Sequence, residues 1–339
     1  MIPILVVAGG VAAAGAVAGQ VARRRMAARY PAPGRMIDIG GYRLHLLCEG
    51  ETMGGPTVVL EGGLGDPGIS WAAVMPGVAQ LTGVCVVDRA GSGWSDASPR
   101  PRSVEVIVDE LRAALAAAQV PGPYVLVGQS FGGLVARLFA LRHREEVAGL
   151  VLVDATPEDY IERAPESVRL TWERMNRLAG PMFALPRALS AAGVFALRPS
   201  LVPGLTGGDI PPEVGLDRYR ALIALGGGLK AMTATMKLMD ASRAQVREAR
   251  MAAGERPLGD LPLVVLTAGE QADLPGGIPP EDQSANHELW RQLHRELAAE
   301  SSAGRWEVVE GSGHMIHHAR PDAVVAAIRE VVETARGRG

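Results

Sequence analysis

The chain has 339 residues, two of them cysteine, and a formal net charge of −3 at pH 7. A chain of this length can bury a large core in one or two domains without a framework of disulfides. The near-neutral charge supplies no basic face, so we expect no nucleic-acid partner.

The N-terminal segment is apolar. Residues 2–22 carry no charged side chain, and arginines follow at 23–25. About 20 apolar residues can span a bilayer, so residues 1–28 are predicted to form a membrane anchor. Arginines on the cytoplasmic side would place the catalytic domain there too. A secreted protein with a cleaved signal is the alternative, because Ala-Val-Ala at 16–18 is typical of a cleavage site; a soluble apolar helix is a third reading.

Eight short apolar runs then predict strands. A linker rich in proline and glycine (29–35) precedes the runs RMIDIG and YRLHLLC, which predict a hairpin around Gly40-Gly41. The other six runs are TVVLEGG, VCVVDRAG, YVLVGQS, GLVLVDA, PLVVLTAG and WEVVEGSG. Continuous apolar character favours strands that are buried on both faces of a parallel sheet.

Helical patterns fill most gaps between these runs. Apolar residues recur every three or four positions over 103–120, with Ser103 placed to cap the first turn. Similar segments follow Ser130 and occupy the C-terminal region. Strands that alternate with helices predict a doubly wound, mostly parallel α/β sheet.

The alternation stops between 156 and 256. This segment has no convincing strand and contains several prolines, Trp172 and a set of methionines: Met175, Met182, Met232, Met236, Met239 and Met251. We predict a helical cap over residues 156–256, inserted into a core formed by 29–155 and 257–339. Methionine suits adaptable apolar surfaces, although most of these side chains are expected to fill the interior of the cap.

Cys48 and Cys85 lie in two predicted strands. Two buried thiols that act as small apolar groups are the expected state. A disulfide between neighbouring strands is the alternative, and two cysteines alone do not establish an oxidising compartment.

The stretch Gly128-Gln129-Ser130-Phe131-Gly132 leaves no room for an ordinary turn between a strand and a helix. Such a corner strains the backbone of its central residue and needs glycine where the chain approaches its neighbours. In a parallel sheet this corner faces the ligand site at the carboxyl ends of the strands. The glycines therefore present the hydroxyl of Ser130 beside the N-terminus of a helix.

In the order strand, G-x-S-x-G, helix, this stretch resembles the nucleophile elbow of the α/β-hydrolase superfamily, in its esterase- and lipase-like branch with a helical cap. The resemblance implies a histidine after the last strand, which is His314, with Gly311 and Gly313 allowing its loop to bend back. It implies an acid at Asp154 or one strand later, at Glu270 or Asp273. We choose Asp154, because the later loop does not match the usual spacing.

The resemblance also implies two backbone donors for an oxyanion. These are the N–H of Phe131, after the nucleophile, and the N–H of Leu64 in the turn Gly62-Gly63-Leu64-Gly65. A further family signature, DRAGSGWSD at 88–96, is expected to shape its own loop through Ser92 and Ser95.

The resemblance implies a serine hydrolase that cleaves carboxylic esters of lipophilic small molecules through an acyl-enzyme. Serine at the elbow argues against dehalogenases and epoxide hydrolases, which need a carboxylate there. Lactonase, carbon–carbon hydrolase and aminopeptidase-like activities stay open, the last requiring acids such as Glu158, Asp159, Glu162 and Glu166, which look like a solvated helix face. A membrane-tethered binding protein without turnover is the alternative from another class.

We expect no cofactor and no metal. His317 and His318 follow His314 closely, but no acidic or cysteine ligand accompanies them. The oligomeric state is left open.

Overall fold

The computed structural model describes residues 17–52, 54–197, 215 and 228–338. The first 16 residues of the predicted anchor lie outside this range, and helix α1 covers 17–29. Across the part of the chain that the structure describes, no helix combines the length and the apolar character needed to cross a bilayer.

All eight predicted strands are present in one sheet with the order β1-β2-β4-β3-β5-β6-β7-β8. The strands are β1 (Arg35–Asp38), β2 (Arg43–Glu49), β3 (Thr57–Glu61), β4 (Val84–Val87), β5 (Tyr124–Gln129), β6 (Val147–Val153), β7 (Leu263–Ala268) and β8 (Gly304–Val309). The predicted hairpin is the antiparallel pair β1–β2, and β2 also runs antiparallel to β4. The remaining pairs are parallel, which confirms the predicted fold class.

Helices cover both faces of the sheet. After α1 come α2 (Met75–Ala79), α3 (Val104–Ala117), α4 (Phe131–Arg142), α5 (Tyr160–Arg163), α6 (Glu166–Ala191), α7 (Val194–Leu197), α8 (Gly228–Ala253), α9 (Pro280–Ala299), α10 (Ile316–Ala319) and α11 (Pro321–Arg336). Helices α3, α4 and α9 pack on one face and α2 and α11 on the other, each with its own apolar cluster. Side chains of β3 alternate between the two clusters. Val59 lies in the cluster under α3, α4 and α9, and Val58 and Leu60 lie in the cluster under α2 and α11.

Local signals placed the main helices correctly. The hydroxyl of Ser103 accepts a hydrogen bond of 3.1 Å from the backbone N–H of Val106, which confirms the predicted cap of α3. Such a bond satisfies one of the N–H groups that a first helical turn leaves without a partner.

The described residues between β6 and β7 form helices α5 to α8 and no strand. Among the methionines of this segment, Met239 is buried, Met175 is half-buried and Met251 is 72% exposed. The side chains of Met182, Met232 and Met236 lie outside the described residues. The limits of the predicted cap, 156–256, stay a prediction.

Cys48 and Cys85 form a disulfide, so the expectation of two free thiols is wrong. Antiparallel pairing of β2 with β4 puts the two residues directly opposite each other, with their Cα atoms 4.1 Å apart. Strand register, which the sequence does not reveal, decides this contact.

Candidate active site

Ser130 sits at the sharp corner between β5 and α4. Its backbone has φ of 52° and ψ of −119°, a strained conformation for a residue with a side chain. A Cβ atom at Gly128 would collide with the carbonyl oxygen of Gly132, and one at Gly132 would collide with the carbonyl oxygen of Glu61. Both glycines are therefore required by close backbone approaches, and the half-buried serine is left facing the carboxyl edge of the sheet.

Asp154 follows β6, the neighbouring strand, and is only 3% exposed. It also has a positive φ, 42°, so two of the three predicted triad residues carry backbone strain. Its Oδ1 accepts hydrogen bonds of 3.0 Å from the backbone N–H of Ala268 and from the indole N–H of Trp290. Its Oδ2 lies 2.6 Å from the Nδ1 of His314.

His314 lies in the loop after β8. Because a carboxylate only accepts, Nδ1 carries the proton and Nε2 keeps its lone pair as an acceptor, as a general base requires. Desolvation opposes the imidazolium, but the hydrogen bond and charge of Asp154 outweigh it and raise the pKa of His314. Burial alone would raise the pKa of Asp154, yet the hydrogen bond and charge of His314 lower it. The two residues stabilise each other's charged form.

No hydrogen bond joins Ser130 to His314 among the described residues. The Nε2 of His314 lies 3.3 Å from the side-chain nitrogen of Gln129, which also donates to the His314 carbonyl at 3.2 Å. Sequence reasoning missed Gln129, since it occupies a variable position of the elbow motif. Catalytic hydrogen bonds often form only with substrate, and the predicted proton transfer from Ser130 would require Nε2 to exchange Gln129 for the serine.

The alternative acids lie elsewhere. Asp273 is 76% exposed at its side chain, and its Oδ1 is 3.8 Å from the Nε2 of His287. Glu270 is exposed, and its backbone N–H donates to the carbonyl of Ser312. Of the three candidates, Asp154 is the one that contacts His314.

The loop after β3 lies against the elbow. A Cβ at Gly63 would collide with Oε1 of Gln129 and would come within 3.3 Å of the Ser130 Cβ. Leu64 is half-buried in this loop, and Phe131, fully buried, is the first residue of α4. The roles of their N–H groups as oxyanion donors stay a prediction.

The side chain of Arg89 stabilises the loop after β3 through hydrogen bonds. Its guanidinium donates to the carbonyls of Gly62, at 2.7 Å, and Gly63, and it pairs with Glu61 at 3.1 Å. Burial raises the pKa of Glu61 to about 7, against the opposing effect of Arg89. The guanidinium therefore holds two carbonyl groups whose positions set the direction of the following N–H groups.

In the loop 88–96 the Ser95 hydroxyl forms hydrogen bonds, as predicted, whereas the Ser92 hydroxyl has no hydrogen-bond partner among the described residues. Asp88 accepts from the backbone N–H groups of Gly68 and Trp94, and the Ser95 hydroxyl donates to the Asp88 carbonyl at 2.6 Å. Ser92 is buried within the same loop.

The described residues do not assemble a metal site around His314. His317 is fully buried, neither of its ring nitrogens has a hydrogen-bond partner within the described ranges, and its ring centroid lies 4.4 Å from that of Trp71. A group of three possible ligands, His143, Glu145 and Glu146, does occur within the described ranges. It lies at the far end of α4 from Ser130.

This fold and site define a hydrolase, and the chain belongs to the alpha/beta hydrolase family, whose model matches residues 58–327. A curated relative, the uncharacterized protein YqjL of Bacillus subtilis, is 25% identical over 82% of this chain and 83% of its own length. An esterase from Thermogutta terrifontis superposes with a TM-score of 0.58 at 23% identity, over 87% of this chain and 94% of that one. A putative epoxide hydrolase from Pseudomonas aeruginosa superposes with a TM-score of 0.67 at 21% identity, over 89% and 96%. These structural likenesses establish the fold, while the reaction depends on the residues of the site.

Proposed function

We propose that this protein is a serine hydrolase that cleaves carboxylic esters through an acyl-enzyme intermediate. The observation that carries the proposal is the hydrogen bond between Asp154 and His314 beside a serine on a strained elbow. A serine hydroxyl is a poor nucleophile without a base, and a buried carboxylate makes the imidazole a stronger one.

In the acylation step, the Oγ of Ser130 bonds to the ester carbonyl carbon while its proton passes to the Nε2 of His314. The carbonyl oxygen gains negative charge and accepts hydrogen bonds from the N–H groups of Phe131 and Leu64. Each such donor is worth on the order of 3 kcal/mol in the transition state. His314 then gives the proton to the leaving alkoxide, and the alcohol departs.

Deacylation repeats the sequence with water. His314 takes a proton from the water, the hydroxide oxygen attacks the acyl carbon, and the carboxylic acid leaves as the proton returns to Ser130. No external oxidant, metal or cofactor is needed to balance either step.

Lipophilic acyl groups are the proposed substrate class. Apolar and methionine residues of the segment 156–256, with Trp172, favour such groups over highly polar ones. The aminopeptidase alternative is less well supported, because Glu158 is buried rather than solvated and its carboxylate pairs with Arg137 and Arg250. Asp159 and Glu162 both pair with Arg247, and Glu166 lies 3.8 Å from Arg169.

A fluorophosphonate probe tests the proposal. Covalent labelling of the wild type that disappears in Ser130→Ala, together with hydrolysis of a series of p-nitrophenyl esters of increasing chain length, is the expected result. An unlabelled wild type, or a Ser130→Ala variant that keeps full hydrolysis, would contradict it. Labelling that is absent while lipophilic ligands still bind would favour the binding-protein alternative.

The disulfide bears on the compartment. Stable disulfides are rare in the cytoplasm, so the bond between Cys48 and Cys85 favours an oxidising location over the cytoplasmic one predicted from the arginines. Membrane attachment through residues 1–28 stays a prediction. Alkylation under denaturing conditions at cell lysis, followed by mass spectrometry, separates the cases, since cytoplasmic protein would carry two alkylated thiols and disulfide-bonded protein none.

A further inference from the structure

The acid of the site is held by a side chain that the mechanism above does not use. Trp290, a half-buried residue of α9, donates its indole N–H to the Oδ1 of Asp154 at 3.0 Å. The other donor to this oxygen, the N–H of Ala268, belongs to the rigid backbone of β7. The second oxygen, Oδ2, is left for His314.

We propose that Trp290 is a positioning residue for the triad, whose indole N–H holds the Asp154 carboxylate in the rotation that aims Oδ2 at His314. The inference rests on the proposed function. One donor would leave the carboxylate free to turn about its Cβ–Cγ bond, whereas two donors from different elements fix the plane of the group.

Trp290 is itself firmly held. Its ring packs edge-on against Tyr160 with centroids 4.9 Å apart, and the ring of His294 lies 5.1 Å away. The Tyr160 hydroxyl donates to the side chain of Asn286, one turn before Trp290 on the same helix, at 2.8 Å. Tyr160 begins α5, the first helix after Asp154. The indole thus joins this helix to the acid.

The other titratable groups near Asp154 and His314 do not take the place of the indole as a hydrogen-bond donor to the acid. His294 lies 3.9 Å from the Oδ1 of Asp154, but its pKa is lowered by burial, and its ring nitrogens are engaged by Thr267 and the carbonyl of Ala155. Asp66 acts on His314 at longer range and favours its protonated form. His294 is therefore neutral, and the hydrogen bonds to Asp154 come from Trp290, Ala268 and His314.

Trp290→Phe tests the inference, because it removes the N–H and keeps an aromatic ring. We expect kcat to fall about 10- to 100-fold, the cost of a small misplacement of catalytic groups, with KM changed less than about twofold. We also expect the pKa of His314, followed by NMR of its ring, to fall toward its ordinary value as the carboxylate turns away. Trp94→Phe is the matched control, since its indole N–H donates at the same distance to the carbonyl of Tyr30, away from the acid.

If Trp290→Phe does not fold, benzothienylalanine incorporated at position 290 deletes the N–H while keeping the bicyclic shape. An unchanged kcat and His314 pKa would overturn the inference, as would a higher KM with unchanged kcat, which would indicate a substrate contact. Failure of the proposed function is distinguishable: the wild type would then resist the fluorophosphonate, while the NMR titration would still decide the role of Trp290.

Discussion

The Nδ1 of His314 lies 2.6 Å from the Oδ2 of Asp154, although the two residues are 160 positions apart in the chain. The contact joins the end of β6 to the loop after β8. It sets the tautomer and the basicity of the imidazole, so it determines how activity depends on pH.

The first prediction concerns this pH dependence. His314 must be neutral to accept a proton, and Asp154 raises its pKa above 6.5. The plot of kcat/KM against pH should therefore rise through a midpoint above 6.5. In Asp154→Asn the partner charge is lost, so the midpoint should move down and kcat should fall by about 10³- to 10⁴-fold. An unchanged midpoint would contradict the pairing.

A second prediction concerns the loop after β3. In Gly63→Ala the new methyl group would displace either the Gln129 side chain or the loop itself, and the loop carries a proposed oxyanion donor. We expect kcat/KM to fall at least about tenfold, part of the value of one such donor. Thermal unfolding should be little changed. Full activity would show that the loop is not part of the machinery.

A third prediction concerns the buried charged side chains of Arg137, Glu158 and Glu300. Arg137 has no exposed side-chain surface and pairs with Glu158 and Glu300. Arg137→Met should lower the free energy of unfolding by about 3–5 kcal/mol, because buried Glu300 loses the arginine that it pairs with and Glu158 keeps only Arg250. Glu300→Gln is the matched control: burial already raises the pKa of Glu300, and its Oε2 has no hydrogen bond to any residue that the structure describes, so a smaller loss is expected. Equal losses in urea unfolding would contradict this division.

The cluster of Arg137, Glu158 and Glu300 should also make the free energy of unfolding depend on pH in the acid range. Burial alone would raise the pKa of Glu158, but Arg137 lowers it to about 2. A depressed carboxyl pKa contributes stability that is complete above the unfolded value of 4.5 and is lost as the pH falls toward 2. Arg137→Met should therefore lose stability less steeply than the wild type over this range.

A fourth prediction concerns His317. Burial lowers its pKa well below 6.5, so the unfolded chain binds a proton more readily than the folded one. Stability should consequently fall as the pH drops below 6.5. His317→Phe should weaken this pH dependence, which urea titrations at about pH 5 and about pH 7.5 would measure. Buried His294 should account in part for the pH dependence that remains in the variant. An identical pH dependence in the variant would contradict the assignment.

The fifth prediction concerns the disulfide between Cys48 and Cys85, which closes a loop with a sequence separation of 37. Reduction should lower the free energy of unfolding by about 2–4 kcal/mol, mainly by freeing the unfolded chain. The double variant Cys48→Ala and Cys85→Ala should show a similar loss and no response to reductant. A wild type that is equally stable in reductant would contradict a structural role.

The sequence predicted the parts of this protein that depend on neighbouring residues. Apolar runs marked all eight strands. In β3 to β7 nearly every residue is buried, because a strand covered on both faces has no solvated side to interrupt the run. Strands β1, β2 and β8 keep exposed positions, so the expectation of burial on both faces is wrong for β8. The corner at Ser130 was predictable, since close backbone approach and strain admit only small residues at 128 and 132. Gly311 likewise has a positive φ of 69°, whereas Gly313 has neither a positive φ nor a crowded Cβ position.

Tertiary structure decided the contacts between distant segments. The contact of His314 with Asp154, the bond between Cys48 and Cys85, and the burial of Glu158 against Arg137 each depend on how distant strands and helices pack. Gln129 and Trp290 carried no sequence signal, because a polar or aromatic side chain in a helix or strand usually has a simpler role. Local patterns encode which elements form, while partners more than 20 residues apart are set only when those elements pack.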